Sequence, residues 1–169
     1  MLIIKYTIIF LIFSISFYLG ELISKKYTLR LNELKDIKNA LNIIESKIKF
    51  TYEPLPEIFM QTSKMVSKNI SEIFQKASNN MKINDAEEAW NRSLEQTVTN
   101  LNKEDIENIK NLGKMLGKID KEGQISRVEL TKTFIEMQIE KARVEEEKNA
   151  KLYKTLGAVL GLAVIIILV

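Results

Sequence analysis

Apolar residues form a continuous run at each end of this chain, and helical periodicity fills the region between the runs. Residues 2–19 are apolar apart from Lys5 and a few Thr, Ser and Tyr residues, and residues 156–169 include no polar side chain. At 1.5 Å per residue, 2–19 forms a helix of about 27 Å, close to the hydrocarbon thickness of a bilayer. The pattern predicts a membrane-spanning helix at each end of a polar region.

Three parts are predicted from this pattern: an N-terminal transmembrane helix at 1–24, a helical bundle at 25–151 and a C-terminal transmembrane helix at 152–169. The second span reaches sufficient length when Lys154 extends its ammonium group to the interface. A cleaved signal peptide is the alternative for the first run. Its apolar core is long for a signal peptide, and 17–21 is a poor cleavage site, so a retained anchor is favoured.

Basic residues border both predicted spans on the side of the bundle. They are Lys25, Lys26 and Arg30 after the first span, and Lys148, Lys151 and Lys154 at the start of the second. The positive-inside rule therefore predicts a cytoplasmic bundle with both chain termini on the opposite side of the membrane.

Apolar residues three and four positions apart predict six helices in the bundle, with the first and last paired antiparallel. The predicted inward-facing residues are, in chain order, Leu34, Ile37, Leu41, Ile44 and Ile48; Leu55, Ile58, Phe59, Thr62 and Val66; Ile70, Ile73, Phe74 and Ala77; Ala86, Ala89, Trp90, Leu94, Val98 and Leu101; Ile106, Ile109, Leu112 and Leu116; and Val128, Ile135, Ile139 and Ala142. The sixth helix carries a second apolar stripe at Leu130, Phe134 and Met137. The fold class is all-α.

Several residues mark the predicted helix ends. Pro54 and Pro56 suit the first turn of the second helix. Asn102 precedes two acids and is expected to cap the fifth helix, which Gly117 is expected to end. The charged segment 145–151 offers little apolar surface and is predicted to be a solvated neck before the second span.

Composition excludes several kinds of function. The chain has no Cys and no His, which excludes disulfides, thiol nucleophiles, Cys/His zinc sites and imidazole catalysis. Its formal net charge is +3, with Lys interleaved among acids, so a nucleic-acid surface is not indicated. Adjacent acids such as Glu87 and Glu88 point to different sides of a helix. We therefore expect no enzyme, metal, cofactor or small-molecule substrate.

Two glycine-containing segments imitate known motifs without matching them. Segment 120–129 resembles a calcium loop, but Gly123 and Glu129 stand at its fourth and tenth positions, where an EF-hand needs the sixth and twelfth. A turn after Asp120, before a helix that begins near Gln124, is favoured. Gly113 and Gly117 lack the surroundings of a phosphate-binding loop, and close helix packing with a helix end explains them.

A second pair of glycines, Gly157 and Gly161, lies in the second span. Small residues four positions apart let membrane helices approach closely, so these two are the candidate contact between membrane helices. A chance occurrence in an apolar segment is the alternative. The sequence leaves open whether such a contact would join the two spans or neighbouring copies.

One set of residues, spread over nearly the whole chain, has a distinctive order and spacing between the two predicted spans. The set consists of Gly20, Tyr27, Arg30, Leu34, Ala40, Leu41, Ile44, Glu45, Ile48, Phe50, Pro54, Leu55, Glu57, Ala89, Trp90, Ser93, Leu94, Leu112, Gly113, Leu116, Gly117, Asp120, Gln124, Lys151, Leu156, Gly157, Gly161 and Leu162. In the order and spacing of these residues, more than in any single motif, the chain resembles the stage III sporulation protein AB family of endospore-forming bacteria.

The resemblance implies a bundle similar to the cytoplasmic domains of the platform protein in type II secretion and type IV pilus machines. It also implies a place in the channel complex between mother cell and forespore, in the mother-cell membrane that surrounds the forespore. The implied partners are a secretion-type ATPase, stage III sporulation protein AA, and other membrane proteins of the channel. No catalytic residue is implied. The alternative from the residues is a membrane-anchored sensory or adaptor module, although almost no external surface is predicted to receive a signal.

Overall fold

A computed structural model describes residues 2–114, 116–118 and 120–168, and within them the chain is helical with no strand. The helices are α1 (Leu2–Phe50), α2 (Leu55–Ser63), α3 (Lys68–Asn80), α4 (Ala86–Glu95), α5 (Lys103–Gly113), α6 (Lys121–Glu145) and α7 (Lys151–Leu168), with a π-helical turn at Glu146–Ala150 between α6 and α7. The prediction of an all-α fold is confirmed.

The chain forms two compact units. One consists of Met1–Leu31 with Lys141–Val169 and contains the N-terminal part of α1, the end of α6 and α7. The other, Asn32–Glu140, contains the rest of α1, α2 to α5 and most of α6. Among its described residues this second unit has six helical segments, so the prediction of a six-helix bundle is confirmed.

Three aromatic rings form the centre of the bundle. Phe59 of α2, Phe74 of α3 and Trp90 of α4 have ring centroids 5.4 Å apart in each pair, and all three are almost completely buried. Edge-to-face and tilted contacts at this distance add to the stabilisation from burial alone. The predicted seam of α1 is buried in the same core, and its five members are Leu34, Ile37, Leu41, Ile44 and Ile48.

Helices α1 and α6 pair antiparallel within the bundle. The Lys38 ammonium lies 2.9 Å from a Glu136 carboxylate oxygen, and the Lys132 ammonium donates to Glu45 at 2.6 Å, so residue numbers rise along one helix and fall along the other. The hydrogen bond from Lys38 holds the pKa of the Glu136 carboxyl below its ordinary value. The predicted antiparallel arrangement is therefore confirmed in this unit.

Polar side chains cap two helices of the bundle, and prolines begin a third. The Asn102 side chain accepts from the Asp105 N–H at 2.8 Å and the Asp105 carboxylate accepts from the Asn102 N–H at 2.9 Å, which is a reciprocal capping box. Asp85 caps α4 in the same sense, accepting from the Glu88 N–H. Pro54 immediately precedes α2 and a proline lies in its first turn, as predicted.

Two residues that were predicted to face inward lie beyond the end of a helix and are not buried. Val98 is 90% exposed because α4 ends at Glu95, so helical periodicity no longer places it inward. Val66 is only half-buried and follows the end of α2 at Ser63.

The second apolar stripe of α6 is exposed, because the opposite side of the helix packs against the bundle. Its members Leu130, Phe134 and Met137 are 44%, 40% and 53% exposed.

Candidate membrane contact and cleft

Helices α1 and α7 approach closely at two glycines. A Cβ placed on Gly20 would lie 3.0 Å from the Cα of Gly157 and 2.7 Å from the carbonyl oxygen of Tyr153. The Ser16 hydroxyl donates to the Gly157 carbonyl oxygen at 3.0 Å. Because backbone lies where a side chain would begin, only glycine fits this approach without a shift of the helices.

Gly161 faces the same helix one turn further along α7. A Cβ placed there would lie 2.7 Å from the ring of Phe13. The structure therefore places both candidate contact glycines, Gly157 and Gly161, against α1 of the same chain. The third glycine of this contact, Gly20, lies on α1, and the glycine spacing in the second span did not predict it.

Aromatic and charged side chains continue the contact beside the predicted spans. The rings of Tyr27 and Tyr153 stack with centroids 5.9 Å apart. The Arg30 guanidinium donates to Glu145 at 2.6 Å, and the Arg30 side chain is only 7% exposed. The Thr28 hydroxyl donates to Glu146 at 2.9 Å. Glu145 remains 46% exposed and no residue of Glu146–Ala150 is buried, which agrees with the predicted solvated neck, while α1 supplies donors to these two glutamates.

The apolar surface of this unit faces outward. By length and composition, the helical stretches Tyr6–Phe50 and Lys121–Ile166 are both able to cross a membrane, and 11% of the most apolar window of each is buried. A core helix of a soluble protein would bury most of such a window. The exposure of these apolar side chains matches a lipid environment.

Trp90 and Gly113, which are among the residues that carry the family resemblance, pack against each other in the bundle core. The Trp90 indole N–H donates to the Ile109 carbonyl oxygen at 2.8 Å, which satisfies its one polar group in a buried position. Gly113 lies directly against that indole, since a Cβ on Gly113 would be 2.6 Å from Trp90 Cδ1. Their role in the structure is packing.

Other motif residues meet at a cleft between the C-terminal end of α1 and the N-terminal end of α6. Leu55, Gly117 and Gln124 line this cleft of about 300 Å³, although up to 69 positions separate them in the chain. The prediction that Gly117 ends the fifth helix is wrong, because α5 ends at Gly113. Gly117 lies in the turn that follows, with φ of 72°, a left-handed conformation that favours glycine. Asp120 accepts from the Gly123 N–H at 3.1 Å and so caps α6, which begins three residues before the predicted Gln124.

Sequence reasoning did not single out Tyr52 and Lys121, two exposed members of this cleft. Tyr52 is 99% exposed, and the Lys121 ammonium lies 5.3 Å from its ring centroid. The sequence did contain a signal for Tyr52. This aromatic residue belongs to no apolar periodicity and lies in the short segment before Pro54. Within the described residues, no group of three acidic side chains is placed to hold a metal ion.

These observations define the chain as a helical-bundle protein with two apolar, closely packed helices that are long enough to cross a membrane. The family model for stage III sporulation protein AB matches residues 5–169. The chain belongs to the stage III sporulation protein AB family.

Two relatives agree with this assignment. Stage III sporulation protein AB of Bacillus subtilis (strain 168) is 29% identical over 153 residues, which cover 88% of this chain and 90% of that protein. A solved structure of a stage III sporulation protein AB superposes with a TM-score of 0.65 at 25% identity, covering 71% of this chain and 98% of that one. The family is one of sporulation proteins and is not named for an enzyme activity, so the chain has a role in sporulation.

Proposed function

We propose that this chain is a non-enzymatic, membrane-anchored platform component of the channel complex between mother cell and forespore. Its bundle would engage a secretion-type ATPase of the stage III sporulation protein AA kind, and its apolar helices would contact other membrane proteins of the channel. The observation that carries the proposal is the close antiparallel pair of outward-apolar helices α1 and α7 in a chain that also forms a bundle. Turnover of a substrate by the purified protein would contradict the non-enzymatic part.

Helical continuity supports the platform role. The chain passes between the two units twice, once inside α1 and once inside α6. A helix is stiff, whereas a Gly- or Ser-rich linker would absorb displacement. A push by the ATPase on the bundle would therefore reach the membrane helices. This mechanical step is the function proposed for the two connections.

The proposed orientation follows from charge. The bundle faces the mother-cell cytoplasm, the spans at 1–24 and 152–169 lie in the membrane around the forespore, and both termini lie beyond it. Lysine and arginine residues at the bundle side of each span support this orientation. A cytoplasmic bundle is also the arrangement in which an ATPase can reach it.

Protease accessibility of a tag tests the orientation. The tag is inserted after Asn80, at the end of α3, in the full-length chain, and sealed right-side-out and inverted vesicles are compared. We expect cleavage only where the cytoplasmic face is exposed. Cleavage from the opposite face would remove the ATPase-platform mechanism.

An insertion in the neck tests mechanical coupling. A Gly-Ser insertion within 146–150 would interrupt the helical connection at the π-helical turn. We expect loss of sporulation with normal membrane insertion, whereas the same insertion in the turn at 81–84 should leave sporulation intact. Wild-type sporulation by the neck variant would show that mechanical coupling through the α6–α7 connection is the wrong idea.

A further inference from the structure

Four exposed lysines lie at one level of the α1–α7 pair, on the bundle side of the predicted spans. We call them the basic collar, which consists of Lys25, Lys26, Lys151 and Lys154. Two contacts between the antiparallel helices fix this level, because Gly20 meets Gly157 and the Tyr27 ring stacks on the Tyr153 ring. Lys25, Lys26 and Lys154 lie between these two contacts along the chain, and Lys151 lies two residues beyond the second. The packing of α1 against α7 therefore brings together lysines that are far apart in sequence.

The charge around the collar is positive when every carboxylate of the surrounding helical segments is counted. The cations of 20–31 and 141–155 are Lys25, Lys26, Arg30, Lys141, Arg143, Lys148, Lys151 and Lys154. The carboxylates of the same two segments are Glu21, Glu145, Glu146 and Glu147. Two of these carboxylates are already occupied, since Glu145 accepts from Arg30 and Glu146 accepts from Thr28. An excess of four positive charges remains beside the spans.

Most of the charge of the collar itself is available to an anion. Lys25 forms an exposed pair with Glu21 at 3.2 Å, in which the two side chains are 62% and 40% exposed. Exposed pairs of this kind are weak. Among the residues that the structure describes, no carboxylate lies within ion-pair distance of Lys26, Lys151 or Lys154. These three ammonium groups are open to a negative group from outside the chain.

The apolar surface of the spans determines what meets the collar. Lys154 stands two residues before the stretch 156–169, which has no polar side chain. The stem of a lysine can follow apolar surface and carry its ammonium group to the headgroup region. Tyrosines such as Tyr27 and Tyr153 are also typical of this interface. With the spans in a bilayer, the collar lies at the lipid phosphates, and a protein segment or a nucleic acid would have to displace those lipids to reach it.

We infer that the basic collar binds the headgroup phosphates of anionic phospholipids in the leaflet on the bundle side, and that the chain therefore favours anionic over zwitterionic lipid. This assignment rests on the proposed membrane anchoring and requires neither the ATPase nor the channel. A zwitterionic headgroup carries a cation that offsets its phosphate, whereas phosphatidylglycerol keeps a net negative charge. One lysine close to an anionic lipid surface strengthens association about fivefold.

The lipid selectivity of the full-length chain in nanodiscs tests this inference. Spin-labelled phosphatidylglycerol and spin-labelled phosphatidylcholine are added in trace amounts to phosphatidylcholine nanodiscs, and electron paramagnetic resonance measures the fraction of each that is held next to the protein. We expect wild type to favour phosphatidylglycerol about fivefold at low salt. The two lipids should approach equal association as the Debye length shrinks from about 30 Å at 0.01 M salt to about 3 Å at 1 M.

Two variants with the same loss of charge separate the position of the lysines from net charge. The collar variant carries Gln at all four collar positions, and the control variant carries Gln at four exposed lysines of the bundle, which are Lys49, Lys82, Lys114 and Lys121. We expect the collar variant to hold the two lipids within about 1.5-fold of each other and the control variant to keep the wild-type preference. Nanodiscs expose both leaflets, so a changed orientation of the chain would not affect the measurement. The milder double variant Lys26→Gln with Lys151→Gln should give an intermediate preference.

The other outcomes overturn the inference in distinguishable ways. Equal association of both lipids with wild type, or an equal loss of preference in the collar and control variants, would show that the collar does not select headgroups. Loss of the preference on adding inorganic phosphate at constant ionic strength would assign the collar to free phosphate. A collar variant that keeps the lipid preference but fails to sporulate would assign it to an acidic segment of another protein. Failure of wild type to enter nanodiscs would also contradict the membrane anchoring of the proposed function.

Discussion

Gly20 and Gly157 each occupy the space in which the other would need to place a side chain. A Cβ on either residue would lie 3.0 Å from the Cα of the other. Backbone atoms cannot rotate away as a side chain can, so the helices themselves would have to separate. At Gly161 the obstacle is the Phe13 ring, which has rotational freedom. The helix pair therefore has one rigid point of contact and one adaptable point.

Replacing either glycine of the rigid contact should loosen α1 from α7. We expect Gly20→Ala or Gly157→Ala to destabilise the full-length chain by about 1–3 kcal/mol, with a smaller effect of Gly161→Ala. Denaturant unfolding in detergent micelles measures this. Ala163→Val is the control, because Ala163 is exposed on α7 and should cost less than about 0.5 kcal/mol. Equal effects at all four positions would show that the close approach does not hold the pair.

The ion pair between Arg30 and Glu145 should contribute more than an ordinary surface pair. The Arg30 side chain is 7% exposed, so Glu145→Gln would leave a buried guanidinium with a weaker acceptor. We expect a loss of about 1–2 kcal/mol, discounted because Glu145 is 46% exposed. Glu21→Gln breaks the exposed pair with Lys25 and should cost less than about 0.5 kcal/mol. Equal losses in thermal unfolding would contradict this ranking.

Glu33 ties three parts of the bundle together and should be sensitive to a neutral replacement. Its carboxylate accepts from the Asn69 amide at 3.0 Å, from the Asn100 backbone N–H at 2.7 Å and from the Asn100 amide at 2.8 Å. Gln offers one acceptor oxygen and turns an NH₂ group towards donors. We expect Glu33→Gln to cost about 1–3 kcal/mol, because Glu33 is 4% exposed. Glu72→Gln, in an exposed pair with Lys76, is the matched control and should be nearly neutral.

The core was predictable along α1, which keeps its period to its end. The α1 seam from Leu34 to Ile48 is buried at every predicted position, because the helix continues to Phe50. The prediction that Val98 is buried was wrong because no local pattern marks the end of α4 at Glu95. Just beyond this end, the Thr97 hydroxyl donates to the Ser93 carbonyl oxygen, and no further helical turn forms. Helix ends set by such local competition are the least readable feature of a sequence.

The functional surfaces depend on register between distant helices, which spacing along one helix cannot supply. Gly157 and Gly161 were visible as a pair of glycines four residues apart, whereas Gly20 has only serines, Ser16 and Ser24, at that spacing, which is a less specific pattern. It meets Gly157 only because α1 and α7 pack antiparallel. The cleft that contains Leu55 and Gln124 likewise exists only once α1, α2 and α6 are packed.

Gly113 and Gly117 should respond oppositely to the same pair of substitutions. At Gly113 the obstacle is space: the Trp90 indole is buried and fixed by its hydrogen bond to Ile109, so Ala should cost about 1–3 kcal/mol and Asn more. At Gly117 a Cβ would meet only Ala86 at 3.7 Å, and the cost comes from the left-handed backbone at φ 72°.

Because Asn adopts that conformation more readily than Ala, Gly117→Asn should be milder than Gly117→Ala, which should cost about 1–2 kcal/mol. Urea unfolding followed by fluorescence measures all four variants, since Trp90 is the one tryptophan of the chain. The order of Ala and Asn should therefore reverse between the two positions. The same order at both would show that space and backbone conformation are not the separate constraints that these two glycines satisfy.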